Sequence, residues 1–167
     1  FWAKDRKIGS RLINARIETA GVKPAFRDSF AARRCIVPAD GFYEWEPKDR
    51  GKLPHYFYAT DQSPLALAGL WASWENPESG DRVRTCTIVT GKPSDVVSPI
   101  HDRMPVILPK SAWGPWLDPD NRDSDGIGEL VASLPAPDLS EHAVSTLVNR
   151  VANDIPDLIK PLESGAV

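Results

Sequence analysis

Four apolar, β-branched or aromatic runs follow one another between residues 35 and 91, each closed by turn chemistry, and this spacing restricts the chain to a mostly antiparallel sheet. Residues 35–46 (CIVPADGFYEWE) read as a strand, KDRG at 48–51 as a hairpin turn, and HYFYAT at 55–60 as the returning strand. LALAGLWASWE (65–75) is a nearly continuous apolar run, NPESGD (76–81) is loop chemistry, and VRTCTIVTG (83–91) is a β-branched strand ending in Gly91. Two hairpins in succession make an antiparallel meander. Shorter elements flank it. LINARI (12–17) reads as extended, with Asn14, Arg16 and Glu18 on one side and Ile13, Ala15 and Ile17 on the other. Residues 24–34 follow as a short helix or turn, 94–98 as a helical turn and MPVIL (104–108) as a short strand. Pro109-Lys110-Ser111 signals a helix start, with Trp113 and Trp116 three apart on one face. IGELVASL (127–134) is helical and HAVSTLVN (142–149) reads as the last strand. The expectation is an α+β fold: a mostly antiparallel, barrel-like β-sheet with short flanking helices, in a single domain over residues 1–167.

The 167 residues are enough to bury a core, and 41% hydrophobic with 26% charged residues is a globular composition, not a disordered one. No apolar run reaches the ~20 residues that cross a bilayer, and no signal peptide is visible; no membrane partner is expected. Cys35 and Cys86 stand far apart in strand-like runs and read as buried, reduced thiols. The three histidines, His55, His101 and His142, lack ligand spacing, so neither a metal site nor a cofactor is expected. With a net charge of −3 the chain is no polycation, and nucleic acid would need a local basic patch. Lys4, Arg6, Lys7, Arg11 and Arg16, then Arg27, Arg33 and Arg34, offer either such a patch or a solvated face. The sequence starts at Phe1 with FWAKD, which reads as the interior of a longer chain.

Phosphate loops, dinucleotide fingerprints, nucleophile elbows and zinc-protease signatures are all absent from the sequence. What remains is a set of polar residues in apolar surroundings: Asn14 and Arg16 in LINARIETA, Glu44 in DGFYEW, His101 in SPIHDRMPVIL. Singly, each has an ordinary explanation: a strand glutamate facing water, a structural histidine, an asparagine capping a turn.

Together, DGFYEW, NARIETA, IHDRMPVIL and the ending HAVSTLVNRVANDIPDLIKPL strongly resemble the SOS response-associated peptidase (SRAP) family, in the same order and over almost the whole chain. The resemblance implies a sensor of abasic sites in single-stranded DNA, acting in the DNA damage and SOS response. It implies a covalent DNA–protein crosslink, a thiazolidine, formed by the amine and thiol of an N-terminal cysteine that is also exposed by autoproteolysis. It assigns catalysis to Asn14, Glu44 and His101. That cysteine is not in this sequence, so the N-terminal portion of the domain is expected to be missing and this chain alone inactive. A monomer in the cytoplasm, associated with the nucleoid, is expected.

The residue types suit that chemistry. Opening a cyclic hemiacetal needs a group that exchanges protons near neutral pH, as imidazole does. Losing water from a carbinolamine needs an acid, and aromatic surroundings (Phe42, Tyr43, Trp45) raise the pKa of Glu44 toward that role. Arg16 and Arg103 are the phosphate-binding candidates. Trp2 either stacks on a base or packs in the core, and Thr90 is a weaker DNA contact. The alternatives are a peptidase acting on other proteins and a non-catalytic single-stranded DNA-binding module.

Overall fold

The computed structural model describes residues 6–162. In chain order the elements are a 3₁₀ turn at Arg6–Arg11, β1 (Asn14–Arg16), α1 (Ile17–Ala20), α2 (Arg27–Ala32), β2 (Arg34–Ala39), β3 (Phe42–Pro47), β4 (Lys52–Ala59), β5 (Leu65–Glu75), β6 (Arg82–Gly91), β7 (Met104–Pro105), a 3₁₀ turn at Lys110–Ala112, α3 (Trp113–Leu117), α4 (Ser124–Ala132), β8 (Leu139–Ala143), and 3₁₀ turns at Thr146–Asn149 and Pro156–Ile159. The α+β class and the mainly antiparallel pairing hold. The strands lie in two open sheets, one of five strands and one of three, and neither closes on itself. The chain divides into two compact units, residues 1–38, 66–91 and 105–135 in one and 39–65, 92–104 and 136–167 in the other.

In the first unit the strand order is β1-β6-β5-β2, with β7 also on β6. The first six residues of β5 are all buried, matching their lack of alternation; its second half alternates, as does a strand with one wet face. That outer half pairs with Arg82–Cys86 of β6 and ends in an exposed Glu75–Arg82 ion pair at 3.3 Å. Cys86 is exposed there and only Cys35 is partly covered, which corrects the expectation of two buried thiols. The core gathers Ala15, Phe30, Ala68, Val89, Trp116 and Ile127, among others.

Arg34, at the start of β2, is only 7% exposed. Its Nε donates to the Trp116 carbonyl at 2.6 Å, Nη1 to those of Phe30 and Ala31 at 2.7 and 2.8 Å, and Nη2 to those of Asp118 and Asn121 at 2.5 and 2.9 Å. All five guanidinium donors are thus used. Phe30 and Ala31 lie in the last turn of α2 and Trp116 in that of α3, where helix carbonyls lack partners within the helix. Arg34 is therefore a structural staple and not part of a basic patch. Trp116 carries the guanidinium 5.8 Å from its ring centre and donates its indole N–H to the Cys35 carbonyl at 2.9 Å.

The second unit holds β3-β4-β8. β3 and β4 pair from Phe42↔Phe57 to Pro47↔Lys52, and Lys48 N–H donates to the Gly51 carbonyl at 3.1 Å across a turn in which Gly51 has φ +83°. Tyr43, Tyr56, Tyr58 and His142 form an aromatic ladder. His55 is buried between two carboxylates: Nδ1 is 2.7 Å from Glu141 of β8 and Nε2 is 3.0 Å from Glu46 of β3. The imidazole thereby links all three strands through its two ring nitrogens. Lys48 neutralises Glu46 further at 2.6 Å and, with the His55 bond, holds its carboxyl below the usual range. A depressed carboxyl contributes stability above the unfolded-state value that is lost as pH falls through the folded one. His55→Leu is expected to destabilise at neutral pH, with about 1.5–3 kcal/mol from the charge-assisted bond to Glu141 alone. The deficit should shrink in acid as pH falls through the depressed Glu46 value. Urea denaturation at both pH values measures it, and a deficit unchanged by pH would remove the clamp.

Two strand boundaries differ from expectation. The run 35–46 breaks at Asp40-Gly41 and feeds two different sheets. The last strand is 139–143, not 142–149, because the Ser145 hydroxyl accepts the Leu147 N–H and starts a 3₁₀ turn. MPVIL keeps only a two-residue strand and an isolated bridge at Ile107, since Pro105 and Pro109 donate no N–H.

Candidate active site

Glu44 is supplied by β3, an edge strand of the second unit, and His101 by the loop that follows a tight turn at Val97. The His101 main-chain N–H donates to the Val97 carbonyl at 3.0 Å, which anchors the backbone below the ring. His101 Nε2 stands 3.8 Å from Glu44 Oε2. Its Nδ1 faces both polar groups of one residue: the Arg103 N–H at 3.0 Å and the Arg103 carbonyl at 2.9 Å. A bare Nδ1 accepts from the former, and a protonated Nδ1 donates to the latter. The backbone at Arg103 therefore holds the ring in either charge state. Asp102 lies 3.5 Å from Nδ1 and is largely in water.

The Glu44 side chain is 19% exposed against 41% for His101. Burial, the largest influence, pushes the Glu44 carboxyl above its usual range; His101 and Lys52 pull it back and Asp102 reinforces the rise. Glu44, Trp45, Lys52, His101 and Asn149 line a cavity of about 400 Å³. Successive strand residues point to opposite faces, so Glu44 and Trp45 reach it from either side of the edge strand. The Trp45 indole N–H donates to Asn149 Oδ1 at 2.8 Å.

Of the residues singled out from the sequence, Glu44, His101 and Arg103 come together in the second unit. Asn14, Arg16 and Thr90 belong to the first unit, where β1 runs parallel to β6 with Asn14 opposite Ile88 and Arg16 opposite Thr90. Ala15 is fully buried and Asn14 and Arg16 are exposed, as the alternation predicts, whereas Ile13, expected on the side of Ala15, precedes the strand and is exposed. Trp2 lies outside the described residues. Lys52 and Asn149 were missed: a lysine after a turn and an asparagine after a strand carry no local signal, and the Trp45–Asn149 bond spans 104 residues. Among the described residues, no group of three or more His, Cys, Asp or Glu side chains is placed to hold a metal ion, and no helix is long and apolar enough to cross a membrane.

The profile of the SOS response associated peptidase (SRAP) family matches residues 1–151, and the chain belongs to that family. The resemblance read from the motifs is borne out. The chain is 45% identical over 160 residues to the abasic site processing protein YoqW of Bacillus subtilis, covering 95% of this chain and 71% of that one. It is 34% identical to the abasic site processing protein YedK of Escherichia coli, covering 90% and 68%, and 33% identical to the abasic site processing protein HMCES of Gallus gallus, covering 98% and 55%. A crystal structure of a protein from Bacteroides thetaiotaomicron matches with a TM-score of 0.85 at 26% identity, covering 98% of this chain and 73% of that one.

Proposed function

We propose that this protein senses abasic sites in single-stranded DNA during the DNA damage response and captures them covalently. Membership of the SRAP family and the abasic-site processing names of its relatives support the substrate. The observation that carries the chemistry is Glu44, its carboxyl raised by burial, facing an imidazole that the Arg103 main chain holds in both charge states.

In this reading His101 takes the proton of the sugar hemiacetal hydroxyl and the ring oxygen is protonated in turn, freeing the aldehyde. The amine of an N-terminal cysteine adds to that aldehyde to give a carbinolamine; protonated Glu44 gives its proton to the departing hydroxyl, one water leaves, and the thiol adds to the resulting iminium carbon, its proton returning to Glu44, so that a thiazolidine remains. Cys35 and Cys86 do not serve, because neither has a free α-amine, and burial pushes the Cys35 thiol up, away from thiolate. The same N-terminal cysteine is assigned the autopeptidase step that exposes it. Asn14 is assigned an orienting amide, and Arg16, Thr90 and Arg103 contacts to the strand. The place of action is nucleoid DNA in the cytoplasm.

Full-length protein bearing the N-terminal cysteine, incubated with an abasic oligonucleotide and then denatured, should give a shifted band. A shift lost on denaturation would leave only a binding module, and cleavage of a protein substrate without a shift would favour the peptidase alternative. Glu44→Gln should slow crosslinking about 10²-fold, the usual weight of a general acid, with little change in affinity for an unreactive tetrahydrofuran analogue. Unchanged rates would remove Glu44 from the mechanism. Stability should move the other way. A raised carboxyl contributes stability fully present below its unfolded value and lost as pH rises through the folded one. Glu44→Gln escapes that loss and should be at least as stable at neutral pH.

A further inference from the structure

We propose that Lys52 and Asn149 form a phosphate-binding wall of the Glu44–His101 pocket, holding a phosphodiester of the strand beside the damaged sugar. This rests on the abasic-site reading and adds residues and a ligand group to it. Both side chains line the same cavity as Glu44 and His101. Their chemistry is opposite to that of the pair they face. An indole N–H only donates, so the Trp45 bond at 2.8 Å fixes the Asn149 oxygen as its acceptor and leaves the amide NH₂, with two donors, for a ligand.

Lys52 adds an ammonium with three donors and no acceptor. Lys48 and Lys160 are neutralised by Glu46 and Asp157, each at 2.6 Å. Lys52 makes no ion pair among the described residues, although its charge reaches Glu44. A wall of donors alone, carrying one uncancelled positive charge, fits an anionic oxygen. Sugar hydroxyls, which both donate and accept, are served by the carboxyl and imidazole opposite. Occupation of the wall has a consequence for the reaction. A phosphate on Lys52 cancels the charge that pulls the Glu44 carboxyl down, so bound DNA favours the protonated acid that water loss requires.

The test uses full-length protein with its N-terminal cysteine and a single-stranded oligonucleotide carrying tetrahydrofuran at the abasic position. Anisotropy titrations between about 50 and 200 mM salt give the dependence of affinity on ionic strength. Lys52→Met should flatten the log–log slope by about 0.7, the loss of one phosphate contact on a single strand, and Lys52→Arg should retain it. Asn149→Ala should weaken binding several-fold without altering the slope, and Trp45→Phe should reproduce part of that loss. On subsaturating reactive abasic DNA, where the pH profile reports the protein before DNA cancels the Lys52 charge, the pH at which crosslinking declines should move upward in Lys52→Met. Both wall residues are exposed, so melting temperatures should not change. An unaltered slope in Lys52→Met, with wild type still crosslinking, overturns the wall and leaves the abasic-site reading intact. Wild type that neither binds nor crosslinks abasic DNA overturns both.

Discussion

Arg34→Met is expected to remove about 2–6 kcal/mol of folding stability, at about 1–3 kcal/mol for each of the two carbonyls, those of Trp116 and Phe30, whose buried bonds would be left unmade. The five carbonyls it bonds come from three chain stretches, and two of those stretches are more than 80 residues away from it in sequence. Methionine fills much of the same volume and meets none of these acceptors, and each buried group left unsatisfied costs about 1–3 kcal/mol. The carbonyls of Phe30, Ala31 and Trp116 would lose both hydrogen bonds and the charge that complements the negative ends of their helices. Burial lowers the Arg34 pKa, with Asp118 opposing, yet a guanidinium stays charged. Arg34→Lys keeps the charge but offers three donors from one point and should recover only a minor part. Urea denaturation at neutral pH measures both. A loss below about 1 kcal/mol in the methionine variant would show that water replaces the guanidinium and that the staple is not structural.

Gly41→Ala should be of similar weight, by overlap. A methyl at position 41 falls 2.3 Å from the Phe57 carbonyl oxygen and 2.5 Å from the Tyr56 ring. The oxygen belongs to a strand paired on both sides and cannot step back without breaking its ladder. Overpacking ordinarily costs about 1–3 kcal/mol, and a main-chain obstacle puts this variant at the upper end or beyond. The displaced segment leads into β3 and so carries Glu44 with it; crosslinking should fall along with the midpoint of unfolding. Gly128→Ala, in α4 with nothing within 4 Å of the added carbon, is the contrast and should stabilise by about 0.5–1 kcal/mol. Equal stability of the two variants would refute the steric account.

Sheet content was legible because β4, β5 and β6 are bounded by residues that dictate turns, such as Gly51 and the NPESGD loop. The site was legible as a pair, Glu44 and His101, because two polar residues stood in apolar wording that matched a family. What stayed hidden shares one cause: the partner is remote. Arg34 beside Arg33 looks like a surface patch until the carbonyls of Trp116, Asp118 and Asn121 arrive. Asn149 becomes a pocket residue only when Trp45 claims its oxygen. Asp40-Gly41 was lost inside a run of strand formers, since the crowding that demands glycine is set by Tyr56 and Phe57, not by its neighbours in sequence. Cys86 sits in a strand pattern, but on the outer half of a hairpin, which no local pattern reveals.

The polymer enters each compact unit three times, changing over after residues 38, 65, 91, 104 and 135. Neither unit is therefore a contiguous piece that could be cloned, excised or left behind by a protease. Each of the four inner stretches, 39–65, 66–91, 92–104 and 105–135, is a tether whose ends the other unit must bring together, and closing such tethers is an entropic toll met before any long-range pairing is rewarded. Assembly should accordingly be slow and all-or-none, and a nick at any crossover should disable both halves at once.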